Sequence, residues 1–313
     1  MMDLGRLRAL HAVAVHGSVG GAAAALGFTP SAISQQIAKL ERETRTVLLE
    51  RQGRGVQLTD AARQLADTAR RVLSLVEQAE VTLEEQRGRA VGRLLVAAFP
   101  TAARGLLPAV LAELHDTCPE LDVRLLESDP YPAAELVARG EVDLAVVQDW
   151  ATVPLPVQPG VDRLDLGEDP VDLLLPVAHP LAALDAVPVT ALRGQRWISV
   201  PPGNICHDWL LRTMRETGEE PDVAHQVGEF QTQLALIAAG LGLGLIPRLG
   251  RGPLPPGTTA RPVTPEPVRR VHALWRTQTS RRPAVTATLT ALRRHWNALP
   301  DGSAPTPVPP PTT

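Results

Sequence analysis

Apolar residues recur at helical spacing three times before position 45, then give way to a short alternating stretch and one long seam. Leu4, Leu7, Leu10, Val13 and Ala14 form the first stripe, which Gly17 ends. Ser18 stands where it can N-cap a second helix, Val19 to Leu26, and Gly27 breaks the chain after it. Thr29 and Pro30 open a third helix, because a first-turn proline is preset for helix and the threonine can cap it. Within it Ile33, Ile37 and Leu40 fall at i, i+4 and i+7, leaving Ser31, Ser34, Gln35 and Lys39 on other faces. Residues 48–51 (LLER), 52–55 (QGRG) and 56–59 (VQLT) read as strand, turn and strand. From Leu58 onward the apolar positions Leu58, Ala62, Leu65, Ala69, Val72, Val76, Ala79 and Leu83 alternate steps of four and three, a heptad seam on a helix that Thr59 can cap. The seam predicts pairing with a second copy through Leu58, Leu65, Val72, Val76 and Leu83.

Beyond residue 91 the pattern changes to short apolar runs alternating with helical segments, which predicts parallel α/β units. Strands are expected at 93–99, 122–127 and 141–147; a second run of strands and helices begins at 171–176, residues 240–247 read as a helix end, a turn and another strand, and 270–275 and a last helix at about 284–299 follow. Four sections result: residues 1–58, a linker helix and hinge over 59–90, an α/β section over 91–299, and a Pro-rich tail, 300–313, that is too poor in apolar residues to order itself.

Composition narrows the function. With 44% hydrophobic residues the 313-residue chain can build a core, and a net charge of −3 argues against coating nucleic acid by charge alone. A small specific DNA-reading domain remains compatible with it. The bias to arginine, with Lys39 the single lysine, reads as genome composition. No signal peptide or long apolar span is visible, and two cysteines, Cys118 and Cys206, fit a reducing compartment, so a cytoplasmic protein is expected. His207 and Asp208 beside Cys206 lack a second ligand pair, and the two cysteines fall in separate segments. Neither a metal, a redox pair nor any cofactor is expected.

The first three helices carry the helix-turn-helix pattern: small Ala23 for close approach, Gly27 for the turn, Ile33 for packing the second helix of the motif. The polar, uncharged face near the start of the third helix suits base edges in a major groove, with Arg51 and Arg54 on a wing beside it. Taken in order, AAAALGFTPSAISQQIAKLE (22–41), LLER (48–51) and LTDAA (58–62) resemble the N-terminal half of a LysR-type transcriptional regulator. Thr44-Arg45 and Ala62 depart from that family's usual Leu-Gly and Gly. RGEVDLAV (139–146), AHPL (178–181) and GLGLGLIP (240–247) extend the resemblance over nearly all of 91–299.

The resemblance implies a winged helix-turn-helix followed by an effector domain of type 2 periplasmic-binding-protein fold, two α/β lobes joined by crossing strands with a small ligand between them. It implies DNA contacts from Ser18, Thr29, Pro30, Ser31, Ser34, Gln35, Lys39, Arg51 and Arg54. It places the effector against Phe99, Thr101, Ser128, Gln148, Pro201, Gly203, Asn204, Phe230 and Gln231. Thr101, after the first strand and at a helix start, is the expected contact to an anionic effector. The expected assembly is a homodimer or homotetramer on double-stranded DNA, without membrane contact. Two other classes compete: a solute-binding protein with a fused helical segment, and an α/β enzyme. The enzyme lacks any Ser/His/Asp or metal constellation in this sequence.

Overall fold

The computed structural model describes residues 2–52 and 55–299, leaving aside the side chains at 51, 52, 55, 77, 80 and 87. Arg54, the side chain of Arg51 and the tail expected over 300–313 therefore lie outside the described residues. The chain divides after Arg87 into two compact units.

The first unit begins with α1 (Leu4–His16), α2 (Val19–Leu26) and α3 (Pro30–Thr44). Each start is capped by a side-chain oxygen: Asp3 accepts from Arg6 N, Ser18 from Gly21 N at 2.9 Å, and Thr29 from Ala32 N at 3.2 Å. Gly17 and Gly27 end the first two helices at φ of 66° and 68°, the left-handed region that only glycine enters freely. Arg45 ends α3 in the same region at φ 53°, the one non-glycine residue there among those described. Ile33, Ile37 and Leu40 are buried with Leu7, Leu10, Val13, Ala22 and Ala23. Strands β1 (Leu49–Gln52) and β2 (Gly55–Leu58) pair antiparallel, Leu49 opposite Leu58. Glu41 fixes this ribbon to α3, since its Oε1 accepts from Leu48 N at 2.8 Å and Leu49 N at 3.1 Å.

Helix α4 (Asp60–Arg87) is capped by Thr59, whose Oγ1 accepts from Ala62 N at 3.1 Å. Its seam does not behave as a uniform pairing surface. Ala62, Ala66 and Ala69 are buried in the first unit's own core, and Leu58, Leu65 and Val72 pack against that core. The alanines between them let α4 sit close on α1, while Leu58, Leu65 and Val72 are only half-buried and keep part of their surface outward. Farther along, Val76 is half-buried while Leu75 and Leu83 are 64% and 55% exposed.

The second unit runs β3 (Gly92–Ala98), α5 (Pro100–Gly105), α6 (Leu107–Thr117), β4 (Leu121–Glu127), α7 (Pro130–Arg139), β5 (Leu144–Trp150) and β6 (Val161–Pro176). It continues with β7 (Val187–Pro188), β8 (Arg196–Ser199), α8 (Ile205–Glu216), β9 (Asp222–Gln226), α9 (Phe230–Ala238), β10 (Gly244–Pro247), β11 (Thr258–Thr264), β12 (Val268–Arg276) and α10 (Pro283–Asn297). β3, β4 and β5 are parallel, as the alternation predicts. The parallel expectation fails beyond them: β12 is antiparallel to both β5 and β6, and β10 and β11 are antiparallel to β6.

The main sheet runs β4-β3-β5-β12-β6-β11-β7, with β10 also on β6. Two lobes follow from this order. The first half of β6 joins β12 in one lobe, and its second half carries β10 and β11 in the other. The parallel pair β8-β9 belongs to the second lobe, bridged from Trp197 to Leu243. Leu94, Val96, Leu107, Val271 and Leu292 lie in the core under α6 and α10, while Leu173, Leu175, Trp197 and Leu210 belong to the core that reaches across the crossing strand. No single described helix is long and apolar enough to cross a membrane.

Candidate functional site

Two surfaces carry chemistry, one on each unit. On the first, burial of Ile33, Ile37 and Leu40 turns Ser31, Ser34, Gln35 and Lys39 to solvent. Ser18, Thr29 and Pro30 are exposed at the two helix starts, with both hydroxyl oxygens already accepting capping amides. An exposed helical face with a carboxamide, two hydroxyls and an ammonium can bond base edges and phosphates. The ribbon β1-β2 follows directly after α3, the wing expected from the sequence.

On the second unit a cavity of about 350 Å3 opens between the lobes, in the usual size range for small-molecule sites. Phe99, Ser128, Gln148, Pro201, Gly203, Asn204 and Phe230 line it, seven of the nine positions expected from family resemblance. The strand order brings them together, because β3, β4 and β5 are parallel, so that Phe99 and Ser128 follow the ends of their strands where Gln148 stands near the end of β5. Asn204 caps α8 from the other lobe, its Oδ1 accepting from Cys206 N at 2.9 Å.

Thr101 and Gln231 need correction. Thr101 is 1% exposed and does not line the cavity; its Oγ1 accepts from Arg269 Nη2 at 2.6 Å. The buried guanidinium of Arg269, from β12, claims the hydroxyl that the sequence assigns to ligand. Gln231 is exposed on α9 outside the cavity lining, its amide donating to Glu229.

Arg269 itself was not visible in the sequence pattern. It faces Asp169 in the register of β12 and β6 and donates from Nε to Asp169 Oδ2 at 2.7 Å. Its guanidinium also lies 4.8 Å from the centre of the Phe99 ring, and the residue lines the cavity. Within the apolar run of β12 a doubled arginine was the only signal, and its partner lies one hundred residues earlier.

Contacts also cross the cleft. Trp150 of β5 stacks on Trp209 of α8, centroids 3.8 Å apart and planes 8° from parallel. Tyr131 Oη donates to Asp208 Oδ2 at 3.0 Å, and burial together with that bond pushes the phenol up to about 12. Gln148 Nε2 donates to Cys206 Sγ at 3.2 Å. Burial pushes the Cys206 thiol up, opposed by Arg269 and the Gln148 bond and reinforced by Asp129. Among the described residues no group of three His, Cys, Asp or Glu side chains is placed to hold a metal ion.

These two surfaces define a class: a helix-turn-helix reader joined to a two-lobed ligand-binding domain. Comparison with known proteins agrees. Residues 4–63 match the bacterial regulatory helix-turn-helix protein, lysR family, and residues 87–297 match the LysR substrate binding domain. A probable hydrogen peroxide-inducible genes activator of Streptomyces viridosporus is 32% identical over 95% of this chain and 96% of its own. OxyR of Escherichia coli, a DNA-binding transcriptional dual regulator, is 30% identical over 88% of this chain and 90% of its own. Among solved structures, a full-length OxyR variant from Pseudomonas aeruginosa superposes with a TM-score of 0.68 at 22% identity, covering 94% of this chain and 98% of that one. CbnR in complex with its target DNA gives 0.56 at 22% identity, over 94% of this chain and 100% of that one. The chain belongs to the LysR family of bacterial transcriptional regulators. It is a DNA-binding regulator with an effector-binding domain and not an enzyme, and the rival reading as a solute-binding protein is set aside.

Proposed function

We propose that Ser34 and Gln35 read operator bases, that Lys39 and the wing arginines Arg51 and Arg54 hold the DNA backbone or minor groove, and that Ser18, Thr29, Pro30 and Ser31 abut phosphates. The observation that carries this is the polar face of α3, turned outward by the burial of Ile33, Ile37 and Leu40. A glutamine can bond adenine at two atoms, worth about 1–3 kcal/mol of discrimination. In gel retardation with DNA from the chain's own upstream region, Gln35→Ala should relax sequence preference about tenfold, while Lys39→Ala should weaken all DNA alike. Unchanged preference in Gln35→Ala removes it from the reading face. The regulator works as a dimer or tetramer on cytoplasmic DNA, and a small molecule in the cleft biases the lobes and so the spacing of paired reading heads.

An anionic effector, the expectation from the sequence, would meet Arg269 there, whose charge Asp169 already neutralises, and the carboxylates of Glu127 and Asp129. The lining therefore gives that expectation little support.

A second reading attaches to Cys206, which lines the cavity and accepts from Gln148, and to relatives named for induction by hydrogen peroxide. Here the sulfur attacks peroxide, the O–O bond breaks, an S–O bond forms and water leaves. Burial keeps this thiol protonated, which slows such attack. Intact mass after brief peroxide exposure decides it: one added oxygen on Cys206, absent in Cys206→Ser, supports this reading, and no gain sinks it.

A further inference from the structure

We propose that the cleft is built for a small ligand presenting a positively charged, donor-bearing nitrogen to Asp129, Glu127 and the buried amide of Gln148. This deepens the effector role proposed for the cleft and rests on it. Asp129 is the half-buried N-cap residue of α7 and lines the cavity, yet its carboxylate caps no amide and has no hydrogen bond or ion pair among the described residues. Pro130 and Pro132, the first and third residues of α7, have no amide hydrogen to offer it, so this carboxylate is not drawn back onto the helix start. Glu127, at the end of β4, brings a second unpaired carboxylate to the same cavity.

The independent observation comes from β5. Gln148 is 2% exposed and lines the cavity, and while its Nε2 is engaged by Cys206, its Oε1 is buried with no partner. A buried, unmatched amide oxygen is costly unless a donor reaches it. Three acceptors thus converge from β4, α7 and β5. The opposing cation, Arg269, is already matched: Asp169 takes its Nε and Thr101 its Nη2. A ligand ammonium satisfies all three acceptors, whereas a simple anion satisfies none and is repelled by two of them.

Cys206 makes the cleft's charge preference measurable without knowing the effector. In the full-length chain carrying Cys118→Ser, Cys206 is the only thiol. It is exposed to methyl, 2-aminoethyl and 2-sulfonatoethyl methanethiosulfonate, which are neutral, cationic and anionic. Each rate is divided by that of the same reagent with 2-mercaptoethanol. The cationic reagent should then outrun the anionic one by about tenfold or more. The preference should shrink in added salt and fall toward unity in Asp129→Asn/Glu127→Gln. A normalised ratio at or below one overturns the proposal while leaving the cleft's effector role intact. A high ratio that survives both salt and the double variant overturns the residue assignment. Failure of the neutral methyl reagent to label Cys206 even at a pH high enough to ionise the buried thiol shows a cleft closed to solutes, and the effector role falls together with the inference.

Discussion

Arg269 and Asp169 face each other across two central strands, and both side chains are almost wholly buried. Such a pair adds little net stability over apolar residues, but removing one member strands the other. Arg269→Met should therefore cost about 3–5 kcal/mol in urea unfolding, and Asp169→Asn/Arg269→Met should recover most of it. If the single variant unfolds like the parent, the pair is not the buried contact described. This residue also shows where sequence reading stops. Ser18 and Thr29 were legible as caps because capping is local, a side chain reaching an amide three residues on. Thr101 was misread by the same logic, because its partner is supplied from 168 residues away. Arg45 shows the converse: it takes the left-handed position where the family's usual glycine would stand, so the departure visible in the sequence is backbone strain at the end of α3 and not a change in the reading face.

Among the elements, α4 follows its apolar pattern, and part of that side is covered within its own unit. A step of four and three marks a helix with one apolar side, and says nothing of which surface covers that side. In the first half Ala62, Ala66 and Ala69 are small enough to pack on α1, beside Leu58, Leu65 and Val72, which are only half-buried. The exposed leucines are farther on, at Leu75 and Leu83. Leu83→Asp should therefore convert the oligomer to smaller species in light scattering, while Leu65→Asp should chiefly lower the stability of the first unit. Equal oligomer mass for Leu83→Asp and parent would exclude the second half of α4 from the interface. Strand β6 is the element least legible beforehand. Only its apolar end, 171–176, shows as a strand, because residues 161–170 carry charges that pair with neighbouring strands and loops. The cleft was legible to the extent that it follows from parallel strand ends, and not where it depends on side chains from β12.

In the whole second unit, buried carboxylates are matched by cations contributed from distant segments. Burial works to raise Asp149 and Asp172, but each ends below the ordinary carboxylate range. His272, the Leu155 amide and Arg270 hold Asp149 down, and Arg248 and Arg251 hold Asp172 down. A depressed carboxyl stabilises fully above its unfolded value, near pH 4, and loses that contribution as pH falls through the lower folded value. Urea midpoints should hence drop steeply below about pH 4, with Asp172→Asn flattening the drop. A midpoint that rises on acidification would contradict these pairings. The position of β12 has a further consequence, for synthesis rather than stability. It is the last made of the described strands, yet it lies between β5 and β6 and, among the described residues, is the only link between them in the sheet. Until residue 276 has left the ribosome, β5 and β6 each present an open edge, separated by a slot that only the chain's end can fill. The reading head, complete by residue 87, can fold while this slot is still empty. A nascent chain stalled before β12 would thus carry a DNA-binding head on a body with two unpaired edges, the species that a chaperone must shield or a protease remove.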